Sequence, residues 1–302
     1  MISKETGVAM QTLNALNKEG GRGGFAEREF PMTDRDFEFI RTIARSRTGI
    51  ELGDHKKEMI YSRIVRRIRS LDLGSFAEYC EYLEQNSESE LTPFINAITT
   101  NLTAFFRENH HFEYLAKTVF PEIKRRHTGD RRIRIWSAGC STGEEPYSIA
   151  MTLHQHFGSE RWDARILATD LDTNVLSHGR NGIYGRDRMT GMSEDLLRKY
   201  FQVQRGANPE DDRYRAKEFL RDYIRFNQLN LLESWPMSGP FDIIFCRNVV
   251  IYFSKETQKT LFDRYADILR PGGYLFIGHS ESLHGVSRRF ESLGRTIYRR
   301  IQ

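Results

Sequence analysis

The chain has 302 residues, 39% hydrophobic and 28% charged, with a formal net charge of +4. That length exceeds the usual single domain and predicts two units, each able to bury its own core, while no apolar run approaches the roughly 18 residues of a membrane span, so no membrane insertion is expected. Cys80, Cys140 and Cys246 are widely spaced with no Cys-x-x-Cys pair; neither a disulfide framework nor a zinc site is suggested, and a reducing cytoplasm fits.

In chain order, the start lacks the basic-then-apolar order of a secretory signal, and Gly20-Gly21-Arg22-Gly23-Gly24 marks residues 1–30 as a flexible tail. From Thr33 to about Asn101, apolar residues recur three and four apart without strand-like alternation, predicting a small all-helical domain over residues 31–100. Residues 41–70 hold nine Lys or Arg against three Asp or Glu. Within Met59 to Leu71, Ile60, Ile64, Ile68 and Leu71 form one helical stripe, and Arg63, Arg66 and Arg69 project from roughly the opposite side. Such a face is ordinarily just solvated; its functional meaning would be docking against an acidic partner.

Beyond Asn101 the pattern changes. Short β-type runs at 132–136, 165–168, 223–226, 241–245 and 274–277 alternate with helical stretches. This predicts an α/β domain over residues 101–302, a doubly wound and mostly parallel sheet whose ligands sit at the carboxyl ends of the strands. Residues 185–221 exceed a simple crossover and read as an inserted β subdomain.

The first strand runs into Gly139-Cys140-Ser141-Thr142-Gly143-Glu144-Glu145. It lacks the Gly-x-Gly-x-x-Gly of a dinucleotide loop and the Gly-Lys-Ser/Thr ending of a P-loop. It does match Gly-x-Ser-x-Gly, so a serine hydrolase using Ser141 with His279 as base is an alternative, weakened by the helical sequence ahead of it. Two acids beside a glycine loop suit a cation better than a pyrophosphate, which favours S-adenosylmethionine. Asp170 ends the second strand, where an acid can accept ribose hydroxyls; equally, Asp170 or Asp172 could cap the next helix. His110-His111 has no metal-ligand spacing to a nearby acid or Cys, so a surface role is expected, and His279 reads as packing or substrate positioning.

Together with Thr100-Asn101-Leu102-Thr103-Ala104-Phe105-Phe106-Arg107-Glu108, Gly143-Glu144-Glu145-Pro146-Tyr147-Ser148, Ala168-Thr169-Asp170-Leu171-Asp172, Phe245-Cys246-Arg247-Asn248-Val249-Val250-Ile251-Tyr252-Phe253 and Gly278-His279-Ser280-Glu281-Ser282, the chain resembles the CheR family of chemotaxis receptor methyltransferases, protein-glutamate O-methyltransferases. The resemblance spans about Thr33 to the C-terminus. It implies the S-adenosylmethionine-dependent methyltransferase fold, with Asn101, Thr103, Arg107, Glu145, Asp170, Asn230, Leu231, Arg247 and Asn248 contacting S-adenosylmethionine or its product S-adenosylhomocysteine. Arg107 and Tyr252 are the expected positioners of the reacting groups. The implied acceptor is a glutamate on a chemoreceptor's cytoplasmic helical domain, docked by Arg63, Arg66 and Arg69. Within the family the β subdomain can also grip a receptor C-terminal peptide as an added strand. A cytoplasmic monomer without metal is expected. The competing class, a nucleic-acid methyltransferase, would want an Asn-Pro-Pro-Tyr type motif where Arg247-Asn248-Val249-Val250 stands, and aromatic residues interleaved with the arginines.

Overall fold

The computed structural model describes residues 28–158 and 160–301; residues 1–27 of the expected tail lie outside them. Four helices come first: α1 (Asp34–Thr48), α2 (Lys57–Ser70), α3 (Phe76–Gln85) and α4 (Ser87–Ile98). Local chemistry sets the bounds of α1. The Thr33 side chain accepts the Asp36 amide while Asp36 reaches back to the Thr33 N–H, and Gly49 ends the helix at φ +72°. The α2 stripe packs inward as its spacing requires: Ile60, Ile64 and Ile68 are fully buried with Phe37, Ile40, Phe76 and Phe94.

One ionic contact locks this helical unit. The Glu90 carboxylate, 2% exposed, accepts Arg67 Nε at 2.9 Å, Arg67 Nη2 at 2.5 Å and the Tyr79 hydroxyl at 3.0 Å. On the opposite face of α2, two of the three arginines expected to dock a partner are engaged within the chain. Arg63 Nη1 donates to the carbonyls of Ile98 and Thr99, at 2.9 and 2.5 Å, and so satisfies the exit of α4. Arg69 pairs with Glu29. Arg66 is exposed and enters no ion pair among the described residues.

The second unit runs α5 (His110–Tyr114), a π turn (Leu115–Val119), α6 (Phe120–Arg126), β1 (Arg132–Ala138), α7 (Glu144–Phe157), β2 (Asp163–Asp170) and α8 (Thr173–Asn181). It continues through β3 (Ile183–Gly185), α9 (Glu194–Tyr200), β4 (Phe201–Gln204), β5 (Arg213–Ala216), α10 (Glu218–Arg221) and β6 (Ile224–Gln228). It ends with β7 (Phe241–Cys246), α11 (Lys255–Ile268), β8 (Leu269–Ile277), β9 (Phe290–Gly294) and β10 (Ile297–Arg300).

Seven strands form one sheet in the order β6-β2-β1-β7-β8-β10-β9, while β3-β5-β4 form a separate small sheet. From β6 to β8 the pairing is parallel, and β10 runs antiparallel to β8 and β9. Alternate residues of β1 feed opposite faces. Ile133 and Ile135 join the layer with Tyr147, Ile149 and Met151 of α7, and Trp136 joins the layer with Leu261, Phe262 and Tyr265 of α11. The chain leaves β1 toward β2 and β6 on one side and returns to β7 and β8 on the other. The reversal beside β1 opens a crevice at the carboxyl ends of the strands.

The small sheet buttresses that crevice. The Tyr184 hydroxyl of β3 donates to the Thr142 carbonyl at 2.9 Å, and Phe105 stacks edge-on with Tyr184 and Phe201 at 5.0 and 5.6 Å. The β9–β10 hairpin has no signal in the sequence, because its turn uses Arg295 (φ +50°) and Thr296 (φ +59°) where sequence rules expect Asn-Gly.

Removing one partner of the Glu90 clamp leaves Arg67 and Tyr79 without their acceptor. Glu90→Ala is expected to destabilise the helical unit by about 3 kcal/mol in urea denaturation, the cost typical of a broken buried pair.

Candidate active site

Four loops that follow parallel strands meet one cleft: Gly139 and Ser141 after β1, Thr169 to Leu171 at the end of β2, Leu229 to Leu231 after β6, and Arg247 to Phe253 after β7. The strap from Ile98 to Arg107 and residues Thr48, Ile50, Leu52, Lys56 and Met59 of the helical unit close it. Gly139 sits at φ +89°, and a Cβ there would come within 2.3 Å of Val249 Cγ2. The β1 and β7 loops are therefore in contact only because residue 139 has no side chain.

Asp170 and Asp172 divide two tasks that the sequence left open between them. Asp172 Oδ1 caps α8, accepting the Asn174 amide at 2.8 Å, and its Oδ2 accepts Thr99 Oγ1 and Asn101 Nδ2, each at 2.8 Å. Asp170, freed from capping, lines the cleft. Its Oδ2 accepts the Ser141 amide at 2.8 Å and its Oδ1 the Asp172 amide at 3.1 Å, which fixes the carboxylate. Burial pushes the Asp170 carboxyl above its usual value.

Behind the cleft lies an ionic knot around Arg247. Its Nη1 contacts Glu145 Oε2 at 3.1 Å, its Nη2 lies 3.6 Å from Glu108 Oε1, and Nη2 also donates to the Arg107 carbonyl. Glu145 Oε1 accepts the Ser137 hydroxyl at 2.7 Å. Burial raises the Glu145 carboxyl despite the adjoining guanidinium. Arg107 is flanked by Phe106 at φ +53° and Glu108 at φ +55°, two non-glycine residues in the left-handed region. Its Nη1 donates to the Leu102 carbonyl at 2.7 Å, which curls the strap over the cleft.

All ten residues expected at the cofactor and catalytic positions line this cleft: Asn101, Thr103, Arg107, Glu145, Asp170, Asn230, Leu231, Arg247, Asn248 and Tyr252. Not every side chain is free within it. Asn230 spends its amide locally, Oδ1 accepting Leu232 N at 3.0 Å and Nδ2 donating to the Arg47 carbonyl at 2.9 Å. Arg63 and Arg66 line a separate shallow groove with Arg67 and Pro93.

Three readings are corrected. Ser141 is no nucleophile primed by a histidine: its hydroxyl donates to the Asn101 carbonyl at 2.9 Å, and His279 instead lies 3.1 Å from Glu108. His279, its side chain 66% exposed, is not a packing residue. His111 is fully buried, with Nε2 at 3.1 Å from the Arg295 carbonyl, and His110 Nε2 reaches the same carbonyl at 3.2 Å. Burial, then the Arg247 charge, pushes the His111 imidazole down to about 3. Ligand atoms of Glu108, His110 and His111 lie within 4.8 Å of one another, an acid-histidine proximity that the sequence spacing does not announce. The cleft wall from Thr48 to Met59 escapes sequence reasoning because it is tertiary, with no periodicity or motif pointing toward the strand ends, and Glu108, though it closes the Thr100–Glu108 motif, is given no role there.

Comparison with known proteins agrees with this architecture. The family described as CheR methyltransferase, SAM binding domain, matches residues 101–299, and CheR methyltransferase, all-alpha domain, matches residues 35–99. The chain is 46% identical over 276 residues to chemotaxis protein methyltransferase 2 of Pseudomonas aeruginosa, covering 91% of this chain and 96% of that relative. It is 45% identical over 269 residues to the chemotaxis protein methyltransferase of Escherichia coli, covering 88% and 91%. The chain belongs to the CheR family of S-adenosylmethionine-dependent chemotaxis protein methyltransferases.

Proposed function

We propose that this chain transfers methyl groups from S-adenosylmethionine to glutamate carboxylates on the cytoplasmic helical domain of chemoreceptors, giving glutamate methyl esters in chemotaxis adaptation. The observation that carries the reading is the single cleft at the sheet's reversal, where Asp170, Glu145 and Arg107 converge from β2, α7 and the strap. Its donor set fits the methyl donor. Asp170 offers a fixed carboxylate for ribose hydroxyls. Asn101, Thr103, Arg107, Glu145, Asn230, Leu231, Arg247 and Asn248 complete the binding site, with the side chains of Asn101 and Asn230 acting through the loops they brace. When bound, S-adenosylmethionine supplies a methyl group on a sulfonium, and S-adenosylhomocysteine leaves from the same cleft.

The residues have a limited chemical task. A glutamate carboxylate, with a reference pKa near 4.3, is ionised at neutral pH, so the nucleophile needs neither a general base nor a metal. Orientation is what the protein must provide, and alignment of reacting groups can supply roughly 7 to 11 kcal/mol in well-organised systems. Arg107 can pair with the acceptor carboxylate or with the donor's own, and Tyr252, under the Lys56 ammonium at 4.6 Å from its ring centroid, sits where its hydroxyl can donate one bond.

Arg66 is the docking cation left on α2, with Arg63 and Arg69 held by the Ile98–Thr99 carbonyls and by Glu29. The small sheet exposes Gln202 to Gln204 of β4, an edge to which a receptor C-terminal peptide could add as a strand. No helix among the described residues is long and apolar enough to cross a membrane, and a cytoplasmic monomer is the form we propose.

With methyl-labelled S-adenosylmethionine and receptor-bearing membranes, label should enter the receptor and be released by mild base, as a carboxyl ester is. Label that survives base would refute the acceptor assignment. Arg107→Ala should lower turnover by about 100-fold or more with an unchanged melting curve, the scale expected when a positioning contact is lost; wild-type turnover would remove Arg107 from the reaction. Arg66→Glu should raise the receptor KM and weaken its salt dependence while S-adenosylhomocysteine affinity by calorimetry stays level. Arg63→Glu is a poorer probe, because it also strips the bonds at the exit of α4.

A further inference from the structure

Glu281 follows β8 and has no part in the chemistry above, yet its side chain is buried, 6% exposed, and it forms no ion pair among the described residues. Every hydrogen bond it accepts comes from the main chain. Oε2 accepts the Asn248 amide at 3.0 Å and the Gly278 amide at 2.6 Å, and Oε1 accepts the Val250 amide at 2.9 Å. A buried carboxylate without a cation is tolerable only when its lone pairs are met, and here amides from two loops converge on it.

The loop it holds has one short turn of its own, with the Tyr252 amide donating to the Val249 carbonyl at 3.2 Å and the Phe253 amide to the Val250 carbonyl at 3.1 Å, but the amides of Asn248 and Val250 are met by Glu281. After Cys246 the sheet pairing ends, Asn248 turns to φ +60°, and Val249 sits at φ −112° and ψ −48°. That sequence of conformations directs the amides of residues 248 and 250 to one side, a concavity that calls for an anion. Gly278 lets the two loops touch, since a Cβ there would lie 2.8 Å from the Asn248 nitrogen. On the far side Gln258 Nε2 donates to the carbonyls of Val250 and Phe253, at 2.8 and 3.0 Å. The residues on either side of Tyr252 are thus held by a fixed acceptor and a fixed donor, while its own carbonyl accepts the Glu51 amide at 2.8 Å.

We propose that Glu281 is a positioning residue for methyl transfer, its carboxylate holding the Asn248–Tyr252 loop in the shape that presents Asn248 and Tyr252 to the cleft. The assignment rests on the reading of that cleft given above. Glu281→Gln keeps the shape but turns one acceptor into a donor aimed at amide N–H groups. Amide hydrogen exchange at Asn248 and Val250 should then quicken about tenfold or more, the factor of one lost charge-assisted bond. Turnover at saturating donor and receptor should fall about as far, with a smaller loss in a Tyr252→Phe background because both changes act on one element.

Glu281→Asp, which keeps the charge with a shorter reach, should give an intermediate loss in both readouts and carries the test if the Glu281→Gln variant does not fold. Unchanged exchange at the two amides overturns the proposal. So does faster exchange with wild-type turnover, and so does full multiplication of the turnover losses when Glu281→Gln and Tyr252→Phe are combined. Absence of methyl transfer by the unmodified protein would instead refute the functional reading, and the exchange result would still report on the clamp.

Discussion

The burial of Arg247 is the constraint on which the cleft depends. Its guanidinium ties the loop after β7 to two other pieces of chain: Glu145 at the start of α7, and the end of the strap, where it meets the Arg107 carbonyl and Glu108. A planar, permanently charged fork suits this role, because it donates in several directions at once and cannot shed its proton on desolvation. The acids around it differ in setting. Burial raises Glu145, whereas Glu108, though penalised by burial, ends below its usual value because His279 and Arg247 offset that penalty. The knot fastens the strap that carries Arg107 to the cleft.

A second layer of polar bonds turns flexible loops into walls. Asp172 links the start of α8 to Thr99 and Asn101 of the strap, so the entry of one helix and the lid of the cleft share a carboxylate. Asp170 is released by that arrangement to face the cleft. The division follows from position: the residue two places past the strand can cap the helix, and the strand's last residue cannot also do so. On the opposite wall Glu281 and Gln258 do for the β7 loop what Asp172 does for the strap.

Much of this was legible in the sequence because parallel sheets put function where the strands stop. Hydrophobic runs located β1, β2, β6, β7 and β8, so Gly139 and Asp170 fell at the crevice by strand position, whereas Arg247 was reached through the family resemblance. What was not legible depends on contacts between distant segments. The α2 period placed Arg63 outside the core, but only the fold brings the carbonyls of Ile98 and Thr99 to its guanidinium. His111 reads as one of two adjacent polar residues, and its full burial follows from the Arg295 turn nearly two hundred residues later. That turn adopts left-handed geometry at Arg and Thr, against local preference, because the surrounding packing sets its shape.

The grip of His110 and His111 on the Arg295 carbonyl has a consequence for biosynthesis. The segment bearing Arg107 emerges from the ribosome long before the hairpin that anchors it, and the carboxylate of Glu281 is also translated late. A nascent chain that has completed its helical unit and its central strands still lacks the two fasteners that hold the strap and the loop after β7. Vectorial synthesis thus delays completion of this cleft until the β9–β10 hairpin has been made.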